Sequence, residues 1–318
     1  LVEAGFSESA ILKSGLVYKN DNGSYYEKFY NRLMFPIIDV HGNIIGFGGR
    51  VLGDGMPKYL NSPETEIFSK SKNLYNLNLA KKSNNRELIL VEGYMDAITI
   101  YQAGFTNVVA SLGTAFNENH ARVLKSYAGS AILLFDSDEA GVKAVLRAIP
   151  VLKNAGLKVK VLQVTDAKDP DEYIKKFGPS AFGELLKTAK SHILFEAEQI
   201  QKKYDLTLLE DKIAFTNEIA SLLSSVENSI EKDAYLKEVS RITQIDVSAI
   251  QEQINSINGM SEKTVEYSNI NKRISDNGVD LARRGIINLI VSNKAIYEAI
   301  KDKLLPKELV EPIYIKVL

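Results

Sequence analysis

Acidic residues follow three separate apolar runs in the middle of this chain, and this repeated arrangement constrains its fold more than any other feature. The runs and the acids that follow them are Leu88–Val91 with Glu92, Ala131–Phe135 with Asp136 and Asp138, and Val159–Leu162, which is interrupted by Lys160, with Asp169 and Asp171. Apolar runs of this length are typical of parallel strands that are covered on both faces. Ligands of open α/β sheets bind at the edge where such strands end. We therefore expect a mainly parallel sheet with carboxylates along one edge.

Strand and helix patterns alternate between residues 86 and 190. The expected strands are 87–91, 108–110, 131–135 and 158–164, and the expected helices are 95–103, 118–127, 139–155 and 180–190. A strand, a crossover and a parallel strand almost always connect with a right-handed turn. The alternation therefore predicts an α/β domain in which helices flank a mainly parallel sheet.

The regions on either side have other patterns. A helix-containing segment at 5–16 and a hairpin signal, with strands in 29–40 and 44–51, predict a mixed α/β lobe before the sheet. Helical patterns at 207–224, opened by a capping box from Thr207 to Glu210, and at 230–242 predict a helical bundle after it. The chain is thus α+β overall. The predicted domains are the lobe at 1–85, the sheet domain at 86–190, the bundle at 191–254, a linker at 255–278 and a last helical region at 279–318.

Composition excludes several classes of site. The 318 residues include no Cys, which removes disulfides, thiolate zinc sites and cysteine nucleophiles and permits a cytoplasmic location. No apolar run has the length of a membrane span and no signal peptide opens the chain, so we expect no membrane partner. Because the chain begins in mid-pattern at Leu1, we expect a piece of a longer protein. The histidines have no partnered pattern and receive no role; they are His41, His120 and His192.

Positive charge is concentrated before the acidic turns, although the net charge is only −1. The basic residues of this region are Lys19, Lys28, Arg32, Arg50, Lys58, Lys70, Lys72, Lys81 and Lys82. The string Lys58-Tyr59-Leu60-Asn61 puts a cation beside an aromatic ring and an amide, a combination that can hold a nucleotide or a phosphate. A basic lobe next to an acidic domain is suited to a polyanionic substrate, which the basic lobe would bind and the acidic domain would process.

The acidic turns have the chemistry of a magnesium site. Asp136 and Asp138 are two residues apart, so both carboxylates point to the same side if the chain is still extended there. Oxygen ligands without nearby His or Cys suit Mg²⁺ or Mn²⁺. Asp169 and Asp171 can add a second metal or complete the first. Glu92, at a neighbouring strand end, is then the carboxylate available for proton transfer.

Each of these residues also has a purely structural interpretation. An Asp before a helix is a common N-cap, which applies to the Asp136-Ser137-Asp138 turn and to Asp169, where Pro170 would be the first helical residue. Glu92 can lie in a solvated turn. The basic residues Arg50, Lys58 and Lys70 can be solvated surface charges. The occurrence of three acidic turns on successive crossovers of one sheet favours the functional interpretation.

Several strings together resemble a known family. Glu92–Asp96, Asp136–Gly141 and Asp169–Asp171, in this order, resemble the Toprim domain. The strings that resemble the bacterial replicative primase of the DnaG type, including its RNA polymerase catalytic core, are Arg32–Ile37, Gly46–Arg50, Pro57–Pro63 and Val91–Asp96. The resemblance covers nearly the whole chain.

This resemblance implies DNA-dependent synthesis of short RNA primers for replication, by metal-assisted nucleotidyl transfer from ribonucleoside triphosphates. The implied catalytic residues are Glu92, Asp136 and Asp138, with Glu92 as the carboxylate that transfers a proton. The implied ligands of Mg²⁺ or Mn²⁺ are Glu92, Asp136, Asp138, Asp169 and Asp171. The implied nucleotide or template contacts are Arg32, Arg50, Lys58, Tyr59, Asn61 and Lys70, with Asp96 as a supporting acid.

The resemblance also implies partners. They are a single-stranded DNA template, ribonucleoside triphosphates, the RNA–DNA hybrid product and the replicative helicase, at the replication fork in the cytoplasmic nucleoid. We expect the family's zinc-binding domain to be missing, so that this chain holds no zinc, and its helicase-binding domain to be present only as its start, at 279–318. The alternatives left open are a Toprim strand-cleaving enzyme, either a topoisomerase or a nuclease, and a non-catalytic nucleic-acid or helicase adaptor.

Overall fold

The computed structural model describes residues 1–258 of the chain. It divides the chain into two compact units, Leu1–Gln199 and a second unit that begins at Ile200. None of the helices in the described part is both long and apolar enough to span a membrane.

The first unit opens with a lobe of short strands. Its elements are α1 (Glu8–Lys13), β1 (Val17–Lys19), β2 (Tyr25–Glu27), β3 (Arg32–Ile38), β4 (Ile44–Val51), β5 (Tyr59–Asn61) and α2 (Leu77–Ala80). β1 and β2 form an antiparallel pair, and β3, β4 and β5 form an antiparallel sheet in that order. The expected hairpin is confirmed, because β3 pairs with β4 across a turn in which the Asp39 carboxylate accepts from the backbone N–H groups of His41 and Asn43.

The rest of the first unit contains the expected α/β domain and most of α7, a helix that lies in the region predicted as a bundle and ends two residues beyond this unit. Its elements are β6 (Glu87–Val91), α3 (Tyr94–Gln102), β7 (Val108–Ala110), α4 (Glu118–Lys125), β8 (Ser130–Leu133), α5 (Glu139–Asn154), β9 (Lys158–Val161), α6 (Pro170–Lys187), β10 (Lys190–Ser191) and α7 (His192–Gln201). The strand order is β7-β6-β8-β9-β10. The pairs among β6, β7, β8 and β9 are parallel, and β10 is an antiparallel edge strand.

Both faces of this sheet are buried at β6, β7 and β8, which explains the continuous apolar runs of these strands, whereas β9 exposes Lys158 and Lys160. Along β6, Leu88 and Leu90 enter one core with α5, whereas Ile89 and Val91 enter a second core with α3 and α6. Successive side chains of a strand alternate between the two faces, so a strand covered on both sides needs apolar residues at every position.

The direction of the connections reverses between β6 and β8. From β6 the chain passes to β7 on one side, and it then crosses to β8 on the other side and continues to β9. In open α/β sheets such a reversal leaves a crevice at the carboxyl ends of the two strands, and ligands bind there. Glu92 follows β6 and Asp136 follows β8.

Helix α6 begins earlier than expected. The sequence pattern predicted a helix at 180–190, but α6 starts at Pro170 and contains a non-helical residue, Gly178, at φ 81°. Pro170 lacks a backbone N–H, but an N–H at the first helical position has no partner within the helix. Pro170 is therefore well suited to begin the helix. The left-handed Gly178 followed by Pro179 separates the two parts. The apolar pattern predicted only the second part, whereas the structural interpretation of Asp169 and Pro170 anticipated the start of the first.

The second unit contains helices, as expected. They are α8 (Leu209–Ser224), α9 (Ser229–Thr243) and a further helix at 247–258. The predicted capping box at Thr207 is wrong, because Leu208 occupies the N-cap without a side-chain bond and Thr207 instead donates to Asp205. The last helix extends through residue 258 into the predicted linker. The remainder of that linker and the region 279–318 lie outside the described residues.

Candidate active site at the carboxyl edge of the sheet

The acids singled out in the sequence lie at the carboxyl ends of three neighbouring strands. Glu92 directly follows β6, Asp136 and Asp138 follow β8, and Asp169 comes between β9 and α6. Neighbouring strands in a sheet are about 4.8 Å apart. The fold therefore brings these carboxylates to one edge, across the reversal between β6 and β8.

Two of the acids begin helices, so the structural interpretation as N-caps is confirmed for them. Oδ1 of Asp138 accepts from the Gly141 N–H at 2.8 Å at the start of α5, and Oδ1 of Asp169 accepts from the Glu172 N–H at 2.8 Å at the start of α6. A carboxylate has two oxygens. Each cap uses Oδ1 and leaves Oδ2 for another partner.

Glu92 is partly withdrawn from water at this edge. Its Oε1 atom is buried and has no hydrogen-bond partner among the described residues. Burial raises the pKa of Glu92, and the charges of Asp136 and Asp138 raise it further, against a hydrogen bond from the Asp136 backbone. The backbone carbonyl of Glu92 accepts from Ser111 Oγ at 3.0 Å, which fixes the chain at the end of β6.

The pKa values of Asp96 and Asp136 are also raised. Burial raises the pKa of Asp96 to about 7, with further contributions from Asp169, Asp136 and Asp171. Burial raises the pKa of Asp136, followed by the charges of Asp169 and Asp138, whereas Lys168 opposes the shift. These mutual effects show that the acids interact electrostatically across the edge.

Asp171 differs from the other acids because both of its oxygens are engaged. Thr99 Oγ1 donates to Oδ1 at 2.5 Å, and Lys175 Nζ lies 2.5 Å from Oδ2. Burial disfavours its charged form, but these bonds and the positive charges of Lys175 and Arg50 outweigh burial and lower its pKa. Asp171 therefore ties α6 to α3 at this edge.

The acids share an edge without forming a compact ligand cluster. Among residues 1–258, no three His, Asp or Glu side chains lie close enough together to hold one metal ion as they are arranged. Their oxygens are instead distributed along the ends of β6, β8 and β9.

Sequence reasoning missed the residues that support the acidic turns. Ser137 Oγ donates to the Val164 carbonyl at 2.8 Å and so joins the turn after β8 to the segment after β9. A Cβ on Gly141 would lie only 2.0 Å from the carbonyl oxygen of Asp136, so no larger residue fits at this position in the first turn of α5. Small residues in the Asp136–Gly141 turn were the available signal, but their contacts are not local and could not be read from the pattern.

Basic and aromatic residues of the lobe lie near the acidic edge. Arg50 pairs with Tyr59 across β4 and β5, with its guanidinium carbon 5.8 Å from the Tyr59 ring centroid, and Lys58 Nζ is also 5.8 Å from that centroid. Asp96 and Asp171 in turn influence the pKa of Tyr59, which burial raises. Lys58, Tyr59 and Arg50, which the sequence predicted as contacts without placing all three together, therefore lie close to one another in the fold.

The other lobe residues have different surroundings. One guanidinium nitrogen of Arg32 donates to the Gly49 carbonyl at 3.3 Å and to the Pro57 carbonyl at 2.8 Å, so it holds the loop before β5. Asn61 donates to the Leu112 carbonyl at 2.8 Å, while its Oδ1 is buried without a partner among the described residues. Lys70 lies in a separate loop after β5.

Tyr94 joins the lobe to the sheet domain. This first residue of α3 is 5% exposed and packs against Phe35, Tyr59 and Tyr75, with centroid distances of 5.1, 5.5 and 5.6 Å. Burial raises its pKa to about 12, with additional effects from Tyr59 and Tyr75. The ring cluster therefore fixes Tyr59 relative to the helix that follows Glu92.

Three family models match successive parts of the chain. The model described as the N-terminal domain of the DNA primase catalytic core matches residues 1–81, and a Toprim-like model matches residues 89–174. The model described as the DnaB-helicase binding domain of primase matches residues 195–248, which lie in the predicted helical bundle rather than at 279–318.

Individual proteins give the same result. The DNA primase of Clostridium acetobutylicum is 38% identical over 319 residues, which cover 98% of this chain and 53% of that protein, so the chain spans about half of this relative. A solved DNA primase domain from Pseudomonas aeruginosa is 37% identical with a TM-score of 0.66, and the match covers 78% of this chain and 79% of that one. A DnaG primase catalytic domain solved with bound ssDNA is 33% identical with a TM-score of 0.68, over 78% and 81% of the two chains. This chain belongs to the DnaG-type DNA primase family.

Proposed function

We propose that this chain synthesises short RNA primers on single-stranded DNA by nucleotidyl transfer from ribonucleoside triphosphates. The observation that carries the proposal is the reversal between β6 and β8, where Glu92 interacts with Asp136 and Asp138. The cationic group around Tyr59 is within electrostatic reach of the same edge. An acidic edge opposite a basic, aromatic surface suits phosphoryl chemistry on a polyanion.

The donors at this edge fit Mg²⁺ or Mn²⁺. All are carboxylate oxygens, which such hard cations prefer, and the buried Oε1 of Glu92 has no other partner in the described part of the chain. Asp136 would bind as well, and Asp138 and Asp169 would bind through the Oδ2 atoms that their helix caps leave free. Mg²⁺ keeps several waters and takes few protein ligands, so a distributed set of acids is sufficient. When bound, the ion would neutralise charge on the nucleotide triphosphate.

Glu92 has a second proposed role besides metal binding, and Asp171 and Asp96 have roles outside the metal site. Glu92 would accept the proton of the attacking 3′-hydroxyl at its carboxylate, for which its raised pKa suits it. Asp171, expected from the resemblance to bind metal, would act from outside the metal site, since both of its oxygens are already bonded. Asp96 would support the site as a partly buried acid between these groups.

The lobe would bind the template and the nucleotide. Tyr59 offers a ring on which a base can stack, and Arg50 and Lys58 offer charges for phosphates. The unpartnered Oδ1 of Asn61 can accept a hydrogen bond from a nucleotide. Arg32 would act indirectly by holding the loop that precedes Lys58.

The proposed partners follow from the same family membership. They are the single-stranded template, ribonucleoside triphosphates, the RNA–DNA hybrid and a replicative helicase, at the replication fork in the cytoplasm. The match of residues 195–248 to a helicase-binding domain supports that segment as the helicase contact. The earlier assignment of this contact to 279–318 stays a prediction.

The decisive experiment is to incubate the protein with single-stranded DNA, ribonucleotides and Mg²⁺ or Mn²⁺ and to look for short RNA. Glu92→Gln should abolish synthesis, because an amide cannot accept the proton, and should leave the thermal midpoint nearly unchanged, because Gln has the same shape. Glu118→Gln, at an exposed acid of α4, is the matched control and should retain synthesis. Near-normal synthesis by Glu92→Gln would remove its assigned role. A covalent protein–DNA adduct would instead favour a strand-cleaving enzyme.

A further inference from the structure

His120 is a fully buried ionisable residue that takes no part in the proposed chemistry. It lies on α4, its exposed fraction is 0%, and its ring packs against Phe116 with the centroids 5.4 Å apart. Burying an imidazole costs free energy unless hydrogen bonds compensate. Its hydrogen bonds therefore indicate what the residue does.

The ring of His120 reaches the backbone of Lys70 in the lobe. Its Nε2 atom lies 2.8 Å from the Lys70 carbonyl oxygen. A carbonyl can only accept, so Nε2 carries the hydrogen and donates. Burial lowers the pKa of His120, against the effects of the Lys70 and Asn73 backbone, which keeps the ring neutral at pH 7. Within the described residues, its other nitrogen, Nδ1, is buried without a partner.

The backbone of Lys70 is also held at its N–H group, by the side chain of Glu64. The Lys70 N–H donates to Glu64 Oε1 at 2.8 Å. Both backbone groups of residue 70 are therefore bonded to side chains that lie 6 and 50 positions away in sequence. A loop residue would otherwise bond to water or to neighbouring backbone.

The charged end of Lys70, in contrast, has no close partner in the described part of the chain, although its charge reaches Glu64: hydrogen bonds from the Lys70 backbone and the Ser69 side chain lower the pKa of Glu64, and the charges of Lys70 and Lys72 lower it further. No hydrogen bond or ion pair holds its ammonium among residues 1–258. Lys28 lies near it, since burial and then the charge of Lys70 lower the pKa of Lys28. Among residues 1–258 neither ammonium group forms a salt bridge, and Glu64 is one exposed carboxylate against the positive charges of Lys28, Lys70 and Lys72. This excess of positive charge favours an anion between or beside the two ammonium groups.

We propose that His120 and Glu64 are positioning residues that fix the backbone of Lys70, so that its free ammonium meets a phosphate group. This inference rests on the proposed function, in which the lobe binds a nucleic-acid strand and a nucleotide. A cation on a fixed backbone loses less conformational freedom on binding than one on a mobile loop, and its affinity for phosphate is correspondingly higher.

The test compares three variants in affinity for single-stranded DNA and for a ribonucleoside triphosphate. His120→Leu removes the donor but keeps an apolar residue of similar size, and should weaken binding about three- to tenfold. His120→Gln carries an amide N–H at a similar reach and should restore most of the affinity. Leu124→Ala, on the same helix and also 0% exposed, is the control that loses stability without touching Lys70.

A double-mutant cycle separates positioning from general destabilisation. In the Lys70→Ala background, His120→Leu should cause no further loss of affinity, because it acts through the missing ammonium. If His120→Leu weakens binding of DNA alone, Lys70 contacts a phosphate of the DNA strand. If it weakens binding of the triphosphate alone, Lys70 contacts a phosphate of the nucleotide. If it weakens both, Lys70 contacts phosphates of both ligands. All three results support the inference.

Glu64 provides a second test that does not depend on a buried position. Glu64 is exposed, so its substitution should not prevent folding. Glu64→Gln keeps the acceptor and removes the charge, whereas Glu64→Ala removes both. Weaker binding by the Ala variant than by the Gln variant isolates the hydrogen bond to the Lys70 N–H.

Two results would overturn the inference. The first would also contradict part of the proposed function, and the second would not. If Lys70→Ala leaves both affinities unchanged, Lys70 contacts no phosphate and that part of the proposed function fails with it. If Lys70→Ala weakens binding but the Glu64 variants are equal, or the losses from His120→Leu and Lys70→Ala simply add, only the positioning role is excluded.

Discussion

At the residue scale, Asp96 shows how the sheet edge controls the charge of a single carboxyl. Burial and three neighbouring acids raise its pKa to about 7, from an ordinary value of 3.8. The folded protein therefore holds this proton more tightly than the unfolded chain does. The resulting stability is complete below the unfolded pKa and is lost as the pH rises through 7.

Removing this charge should stabilise the metal-free protein at high pH. We expect Asp96→Asn to raise the free energy of unfolding at pH 8 by about 2 kcal/mol and to have little effect at pH 4. Urea unfolding between pH 4 and pH 8 measures the difference. Asp54→Asn, at an exposed loop acid, should show the wild-type pH dependence. An Asp96→Asn curve parallel to that of the wild type would contradict the assignment.

At the scale of elements, the start of α5 depends on the absence of a side chain at Gly141. A Cβ there would lie 2.0 Å from the Asp136 carbonyl, and backbone cannot move aside as a flexible side chain can. We expect Gly141→Ala to cost about 3 kcal/mol of stability and to abolish synthesis by displacing Asp136. Gly129→Ala, where no atom lies within 4 Å, is the control for denaturant unfolding. Equal midpoints for the two variants would exclude this constraint.

The β4–β5 pair should contribute separately to template binding. If Arg50 and Lys58 contact phosphates, Arg50→Ala and Lys58→Ala should each reduce the slope of log affinity against log salt by about one. Lys187→Ala is the matched control, because Lys187 lies in the last turn of α6 and pairs with Glu184. Titrations of single-stranded DNA at several salt concentrations give the slopes. An unchanged slope removes the substituted residue from the phosphate contacts.

At the scale of the whole molecule, protons and a divalent cation should compete for the same edge. The raised pKa values of Glu92, Asp96 and Asp136 mean that each proton bound there opposes the cation. We expect the rise in thermal midpoint caused by Mg²⁺ to increase between pH 5 and pH 8. The variant with both Asp136→Asn and Asp138→Asn should lose this response. A shift independent of pH, or retained in that variant, would count against the metal site.

The sequence was sufficient to predict the local parts of this arrangement. The apolar runs before Glu92, Asp136 and Asp169 located three strand ends, because period and turn chemistry are local properties. The strand order was not predictable in this way, since the crossing from β7 to β8 depends on how helices cover the sheet. Helix α6 was misjudged because Gly178-Pro179 ends one helical part and begins another.

The contacts that complete the site could not be predicted because they join distant positions. The bond from Thr99 to Asp171 spans 72 positions, and the one from His120 to Lys70 spans 50. No periodicity marks such pairs. Even a local signal failed at Thr207, where the competing bond to Asp205 replaced the expected capping box.

The use of one oxygen for a helix start and the other for chemistry has an evolutionary consequence at Asp138 and Asp169. Asn begins helices about as well as Asp, so a change to Asn would preserve the architecture and remove the negative charge. A descendant of this protein could thus lose its activity while it still folds and still binds its partners. Conservation of the fold alone therefore does not establish that a descendant has kept its activity.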